Sequence, residues 1–365
     1  MLDFTSSLYL GFAHPSDTLA PWRALTLGRP AALVEPPGAT QLAADLARLT
    51  GAEAGLLFPS TLHLFRDLFS ESAAEGAILL MDAKAYPITR WGTEQVRLRG
   101  TACEAYSHHD AAALAQRARR EFRAGLRPII VTDGLCPACG RLAPLPELAR
   151  VAADCGGRLI VDDTQALGVV GRPAGNAMPL GTGGGGTLAW FGLYGAHVYA
   201  GSSLAKGFGA PLAVLLGGKD TVAKIARDGE SRIHSSPPSV AAITAACAAL
   251  SANATQGDLL RARLSRRVRQ LRQGLVAIGA RVLSALPLPV QTIALTASQS
   301  ARAVLEGLDT RGIRALVTEA SGSGPALSII LTARHTAADI DRLIDALASV
   351  LHHHTHSNRT RTALS

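Results

Sequence analysis

Five short apolar runs each give way to a polar side chain that can do chemistry. Ala54–Phe58 leads to Ser60, Ala77–Met81 to Asp82, Pro128–Thr132 to Asp133, Arg158–Val161 to Asp162, and His197–Ser202 to Lys206. Between them lie stretches with helical spacing: Gln41–Thr50 with Leu42, Leu46 and Leu49, residues 61–70, Ala111–Phe122 and Leu145–Cys155. Short strands alternating with helices predict a mainly parallel sheet covered on both faces. Such sheets bind ligands at the carboxyl ends of their strands, so the five polar residues converge on one cleft. Val96–Leu98 and Ala102–Tyr106 read as a shorter strand and turn, and Ala213–Leu216 as the last strand. The fold class expected is α/β, a three-layer α/β/α arrangement with a smaller C-terminal α+β domain.

The texture changes after about residue 228. Ser239–Ala252 and Leu259–Ile278 predict two long helices, and Ala301–Arg311 and Ala337–Leu351 two more. Arg281–Leu283, Val290–Leu295 and Leu327–Thr332 read as strands. The organisation expected is an N-terminal arm over 1–22, a large domain over 23–228, a small domain over 229–351, and a polar, His-rich tail without fixed structure over 352–365. No apolar run approaches the length of a membrane span. Met1-Leu2-Asp3-Phe4-Thr5 is unlike a secretory signal, and the cytoplasm is expected. The net charge of +8 is concentrated at Arg261, Arg263, Arg266, Arg267, Arg269 and Arg272. With Leu260, Leu264, Val268 and Leu271 on the other side, these read as the solvated face of an amphipathic helix rather than a nucleic-acid surface. Five cysteines, an odd number, argue against a disulfide framework. Cys136-Pro137-Ala138-Cys139 has metal or redox spacing, but no second Cys or His pair follows it, and no metal is expected.

Two segments carry the chemistry. Val161-Asp162-Asp163-Thr164-Gln165-Ala166-Leu167-Gly168 puts an acid at a strand end, and Ser202-Ser203-Leu204-Ala205-Lys206-Gly207-Phe208-Gly209 puts a lysine after two hydroxyls. Lysine is rare here, since most of the 36 basic residues are arginine. A lysine amine, an acid and a phosphate seat are what pyridoxal 5'-phosphate needs: an amine to meet its aldehyde, a carboxylate for its ring nitrogen, hydroxyls and amides for its phosphate. Gly181–Gly186, between acid and lysine, reads as a mobile loop and a candidate lid.

The chain resembles the α-oxoamine synthases, fold-type-I pyridoxal phosphate enzymes, from about residue 3 to 350. The resemblance rests on Asp3–Gly11, Gly51–Ser60, Thr132-Asp133-Gly134, Gly140–Leu148, Ser235-Ser236-Pro237-Pro238 and Leu331–His335, in that order. It implies Lys206 as the lysine that holds the cofactor and Asp162, rather than Asp163, as the acid at the ring nitrogen. It further implies Ser203, Ser60, Thr61 and Leu62 at the phosphate, with Ser235 or Ser236 reaching it across a homodimer interface, and Asp133 in the cofactor site. The family's ring-stacking histidine is replaced by Tyr86, and the histidine three residues past the acid by Gln165. Its carboxylate-binding arginine falls on Ser328, which leaves Arg334, Arg232 and Arg90 as candidates for that grip. The expected activity is carbon–carbon bond formation between a small amino substrate and an acyl-coenzyme A or acyl-carrier thioester. Another pyridoxal phosphate reaction (aminotransferase, aldol-type or annulation chemistry) is the alternative, and a non-catalytic scaffold the third reading.

Overall fold

The structure, a computed structural model, describes residues 1–73, 76–296, 300–320 and 324–361. Its central sheet has seven strands in the order Ala54–Phe58, Ala213–Gly217, Val198–Ser203, Arg158–Asp162, Arg127–Asp133, Ala77–Asp82, Ala102–Tyr106. Ala213–Gly217 runs antiparallel to both neighbours, and the other pairings are parallel. Consecutive residues feed opposite faces: Ile130, Leu159 and Val161 join one core, Ile129, Val131 and Ile160 the other. This is why these strands read as unbroken apolar runs. The register lines up the carboxyl edge, with Asp133 opposite Asp162, Asp162 opposite Gly201, and Ser203 and Phe58 both opposite Ala213.

A second core gathers Leu264, Val268, Leu271 and Leu275 against Ile293, Leu327, Ile329, Ile340 and Leu343. It includes an antiparallel sheet in the order Val290–Ala294, Gly324–Ile330, Leu316–Ala320, the last an edge strand too polar to stand out in the sequence. The N-terminal arm belongs to this core. Phe4, Tyr9 and Leu10 are buried in it, and Leu2–Asp3 pairs with Ile313–Arg314. Among the described residues no helix is long and apolar enough to cross a membrane.

Several expectations need correction. Val96–Leu98 is not a strand but the end of a helix, Pro87–Leu98. Pro87 opens it, and Thr89, Gly92, Thr93 and Val96 form its buried stripe. Arg281–Leu283 forms no strand and contributes only a bridge from Val282 to Ile293. The final helix, Ala337–Arg361, meets no Gly or Pro and continues through the His-rich stretch expected to lack structure; residues 362–365 of that tail lie outside the described residues.

The largest departure joins two errors. The helices expected over 239–252 and 259–278 are one helix, Val240–Ala277. Its first half packs Ile243, Ala246 and Ala249 into the first core, and its second half packs Leu264 to Leu275 into the second. The polar residues between them hold the glycine-rich turn. Asn253 donates to the Gly183 carbonyl and the Gly183 N–H donates to Asp258, each at 2.9 Å. Arg261, expected on a solvated face, is fully buried and donates to the carbonyl of Gly168 (2.9 Å), to Asn253 (2.8 Å) and to Asp258 (2.6 Å). Gly184, at φ +77°, leaves room for it: a Cβ there would lie 2.5 Å from the guanidinium. The turn is thus fastened on both sides and is not a lid. Arg261→Met should lower the unfolding free energy by about 3 kcal/mol, because it strands buried acceptors while the half-exposed Asp258 can rehydrate. Urea melts measure this, and unchanged stability with altered turnover would restore the lid.

Candidate active site

The carboxyl edge of the sheet holds a narrow cavity lined by Tyr86, Asp133, Leu135, Pro137, Asp162, Thr164, Gln165 and Lys206. Four elements build it. Asp162 ends its strand, and the turn after it places Thr164 and Gln165. Lys206 follows the Val198–Ser203 strand, one position over in the sheet. Close backbone contact locks the two loops together. A Cβ on Gly207 would lie 2.2 Å from the Leu167 carbonyl, and Gly168 faces Gly207 at φ +85°. Only glycine fits there.

Asp162 is 5% exposed. It accepts hydrogen bonds from the Thr164 N–H (3.0 Å) and the Thr89 hydroxyl (3.2 Å), and among the described residues no cation forms an ion pair with it. Burial raises its pKa, while the threonine bonds and the charge of Lys206 pull the other way. Asp133, alongside, accepts the Tyr86 N–H at 3.2 Å, and burial and the charge of Asp162 raise its pKa well above the usual carboxylate value. Burial lowers the pKa of Lys206, opposed by the charges of Asp162 and Asp133. Its Nζ lies 5.5 Å from the centre of the Tyr86 ring. Asp163 turns to the other face of the strand, as alternation requires. There it accepts from the N–H (2.9 Å) and hydroxyl (2.6 Å) of Thr187, a structural contact.

The anion seat lies along the same edge. Ser60 precedes the Thr61–Ser72 helix, but its hydroxyl is 2.8 Å from His63 Nδ1 and caps no helical N–H. The first-turn N–H groups, including those of Thr61 and Leu62, therefore remain available for an anion. Ser203 donates its N–H to Thr164 at 3.0 Å, tying that seat to the acid's turn. Ser235 and Ser236 do not line the cavity; the Ser235 hydroxyl donates to the Ser231 carbonyl at 2.5 Å. Of the three arginines, Arg232 is buried on the carbonyls of Ala31, Leu57 and Ala226 and on Glu35. Arg90 is held by the carbonyls of Ala85 and Ala83. Neither is free to grip a substrate. Arg334 is exposed, its stem packed over Gly11. Ser328 is buried in the C-terminal sheet.

Four residues were not singled out from the sequence: Thr89, Thr164, His63 and Tyr9. Tyr9 is fully buried and donates to Gln165 Oε1 at 2.5 Å; burial raises its pKa. The stripe Thr89, Gly92, Thr93, Val96 following a proline was the available signal for Thr89.

The donor set fits pyridoxal phosphate: a less basic amine, a buried acid without an ion-pair partner among the described residues, an aromatic ring beside the amine, and open N–H groups at a helix start. An α/β sheet with this site at its carboxyl edge defines a fold-type-I arrangement. The chain belongs to the family described as aminotransferase class I and II, whose sequence profile matches residues 3–347. Within it, the chain falls with the α-oxoamine synthases. The 8-amino-7-oxononanoate synthase of Halorhodospira halophila is 32% identical over 313 residues, covering 84% of this chain and 73% of the relative. That of Pseudomonas putida is 30% identical over 368 residues, covering 95% and 87%. In fold, a lysine-to-alanine variant of the serine palmitoyltransferase of S. paucimobilis, solved with a bound PLP–myriocin aldimine, superposes with a TM-score of 0.82 at 18% identity, covering 97% of this chain and 88% of that one. The 8-amino-7-oxononanoate synthase of Francisella tularensis gives 0.73 at 18% identity, covering 96% and 97%.

The electrostatics make a signed prediction. In the ligand-free protein, Lys206 should be acetylated with a pH midpoint below the ordinary lysine value of about 10.4. Asp162→Asn removes a charge that favours the ammonium, so the midpoint should move lower still. Peptide mapping after acetic anhydride pulses across pH reads both, and an upward move in the variant would contradict the assignment.

Proposed function

We propose that this chain is a pyridoxal-phosphate-dependent transferase of the α-oxoamine synthase type, joining a carbon of an amino-acid substrate to the acyl carbon of a thioester. The observation that carries the reading is the shared cavity of Lys206 and Asp162, an amine made less basic by burial beside a buried acid. When bound, the cofactor supplies an aldehyde for amines and an electron-withdrawing ring.

The roles of the residues follow from their positions. Lys206, made less basic by burial, is the amine that holds the cofactor and later carries the substrate's α-proton. Asp162 holds the proton of the ring nitrogen, and Thr89 and Thr164 fix its orientation. Tyr86 covers the ring. Ser60, Ser203 and the N–H groups of Thr61 and Leu62 take the phosphate, and Asp133 positions Tyr86 through its backbone. Gln165 is a neutral amide whose carbonyl already accepts from Tyr9, so its NH2 is left to donate toward the ring oxygen. Arg334 is the cation left to meet a substrate carboxylate. In the condensation a C–C bond forms, the thioester C–S bond breaks, and the thiol leaves.

We place the enzyme in a homodimer in the cytoplasm, in a biosynthetic role, with Ser235 or Ser236 offered to the partner's phosphate seat. Exposed Leu33 and Ile233 beside those serines, and Leu62 and Trp91 near the site, support an apolar contact face. A second reading, an aminotransferase or another reaction on the same cofactor, draws on Ser328 standing where the family places an arginine and on the untitratable Gln165.

Purified protein mixed with pyridoxal phosphate should gain visible absorption that Lys206→Ala lacks, and the variant should have no detectable turnover. Turnover should release free thiol from an acyl thioester only when an amino acid is present. Keto-acid formation without thiol release would favour the second reading. Tyr9→Phe frees the Gln165 carbonyl and should slow turnover about fivefold, the worth of one neutral hydrogen bond, as steady-state kinetics would show.

A further inference from the structure

Cys136-Pro137-Ala138-Cys139 forms the tip of a hairpin between Leu135–Cys136 and Arg141–Leu142, closed by the Gly140 N–H donating to the Cys136 carbonyl at 2.9 Å. The hairpin starts just past Asp133, and its Leu135 and Pro137 line the Lys206 cavity. Facing the tip, just past the Ala102–Tyr106 strand, is His108-His109. His108 Nε2 lies 3.3 Å from Cys139 Sγ. His108, His109 and Cys139 each bring a ligand atom within 4.8 Å of the other two. The other ring nitrogen of His108 is 2.7 Å from one oxygen of the buried Asp82, whose second oxygen accepts the His109 N–H at 3.0 Å. His109 Nε2 is buried with no hydrogen-bond partner among the described residues. Its backbone is held at φ +57°, a conformation unusual for a residue with a side chain.

We propose that His108, His109 and Cys139 bind a borderline-soft transition-metal cation, with Zn²⁺ the ion their donors suit best. Two imidazoles and a thiolate are zinc's preferred ligands. Tetrahedral bonds of about 2.3 Å to sulfur and 2.0 Å to nitrogen set the N···S edge near 3.5 Å, close to the distance seen. Asp82 on the far nitrogen of His108 is the carboxylate that orients a metal-bound imidazole. Spacing along the chain conceals the site because the second pair lies upstream of the cysteines, brought across by the parallel strands. The ion would fasten the hairpin to the sheet edge and so fix one wall of the Lys206 cavity.

Co²⁺ is the probe. The full chain, kept reduced by a phosphine, should develop sulfur-to-cobalt charge-transfer absorption that saturates at one equivalent and is displaced by Zn²⁺. The histidines of 352–356 cannot produce that band, since the tail has no cysteine. Cys139→Ser should lose it and Cys247→Ser keep it, while Asp82→Asn should keep it with about 10–100-fold weaker Co²⁺ affinity. Circular dichroism melts check that each variant folds. Should Cys139→Ser unfold, protection of Cys139 from iodoacetamide by Zn²⁺ in the parent answers the same question. No band in the reduced parent, or a band persisting in Cys139→Ser, overturns the proposal. So does a reduced protein that ignores metal yet joins Cys136 to Cys139 on oxidation, which would make the pair a redox couple instead.

Discussion

A carboxylate taken out of water at the end of the Arg158–Asp162 strand sets the terms for everything around it. Asp162 is reached by two threonine donors and by the field of one lysine, which is too little to satisfy a buried negative charge. Its surroundings are arranged around that deficit. Thr89 comes from a helix that crosses the edge of the sheet, Thr164 from the acid's own turn, and Lys206 from the neighbouring loop. A cationic heterocycle placed in the cavity would complete the set, and this is the physical content of the family resemblance.

The parts of this arrangement legible in the sequence are those in which one strand carries its own chemistry to its own end. Asp133, Asp162, Ser203 and Lys206 each follow an apolar run, and parallel register alone puts them on one shelf. Alternation of side chains lets only one of Asp162 and Asp163 face the cleft; the family resemblance named Asp162, and the hydroxyl and amide of Thr187 account for the other acid. Tyr9 to Gln165, Thr89 to Asp162 and His108 to Cys139 were not legible, because each joins segments that no local pattern connects. Thr89 was lost for a further reason: the end of its helix, Val96-Arg97-Leu98, reads as a strand.

The glycine-rich turn shows how polarity misleads. Six residues of low complexity read as slack chain, and Asn253 to Asp258 read as a break between helices. Each misreading was the partner of the other. The turn's open backbone groups are what the polar helix residues bind, and Arg261 could be buried only because the turn has no side chains to exclude it. A buried guanidinium with several acceptors is no longer a surface charge, and the basic character of that segment overstates its exposure.

The Val240–Ala277 helix has 38 residues, a rod about 57 Å long at 1.5 Å per residue. It serves as spine to both cores and carries the Arg261 clasp near its midpoint. A rod embedded at both ends resists flexure, so the two halves cannot swing apart as if on a door hinge without snapping that clasp. Breathing of the cleft is thereby left to the thin segments that line it, such as the hairpin around Pro137.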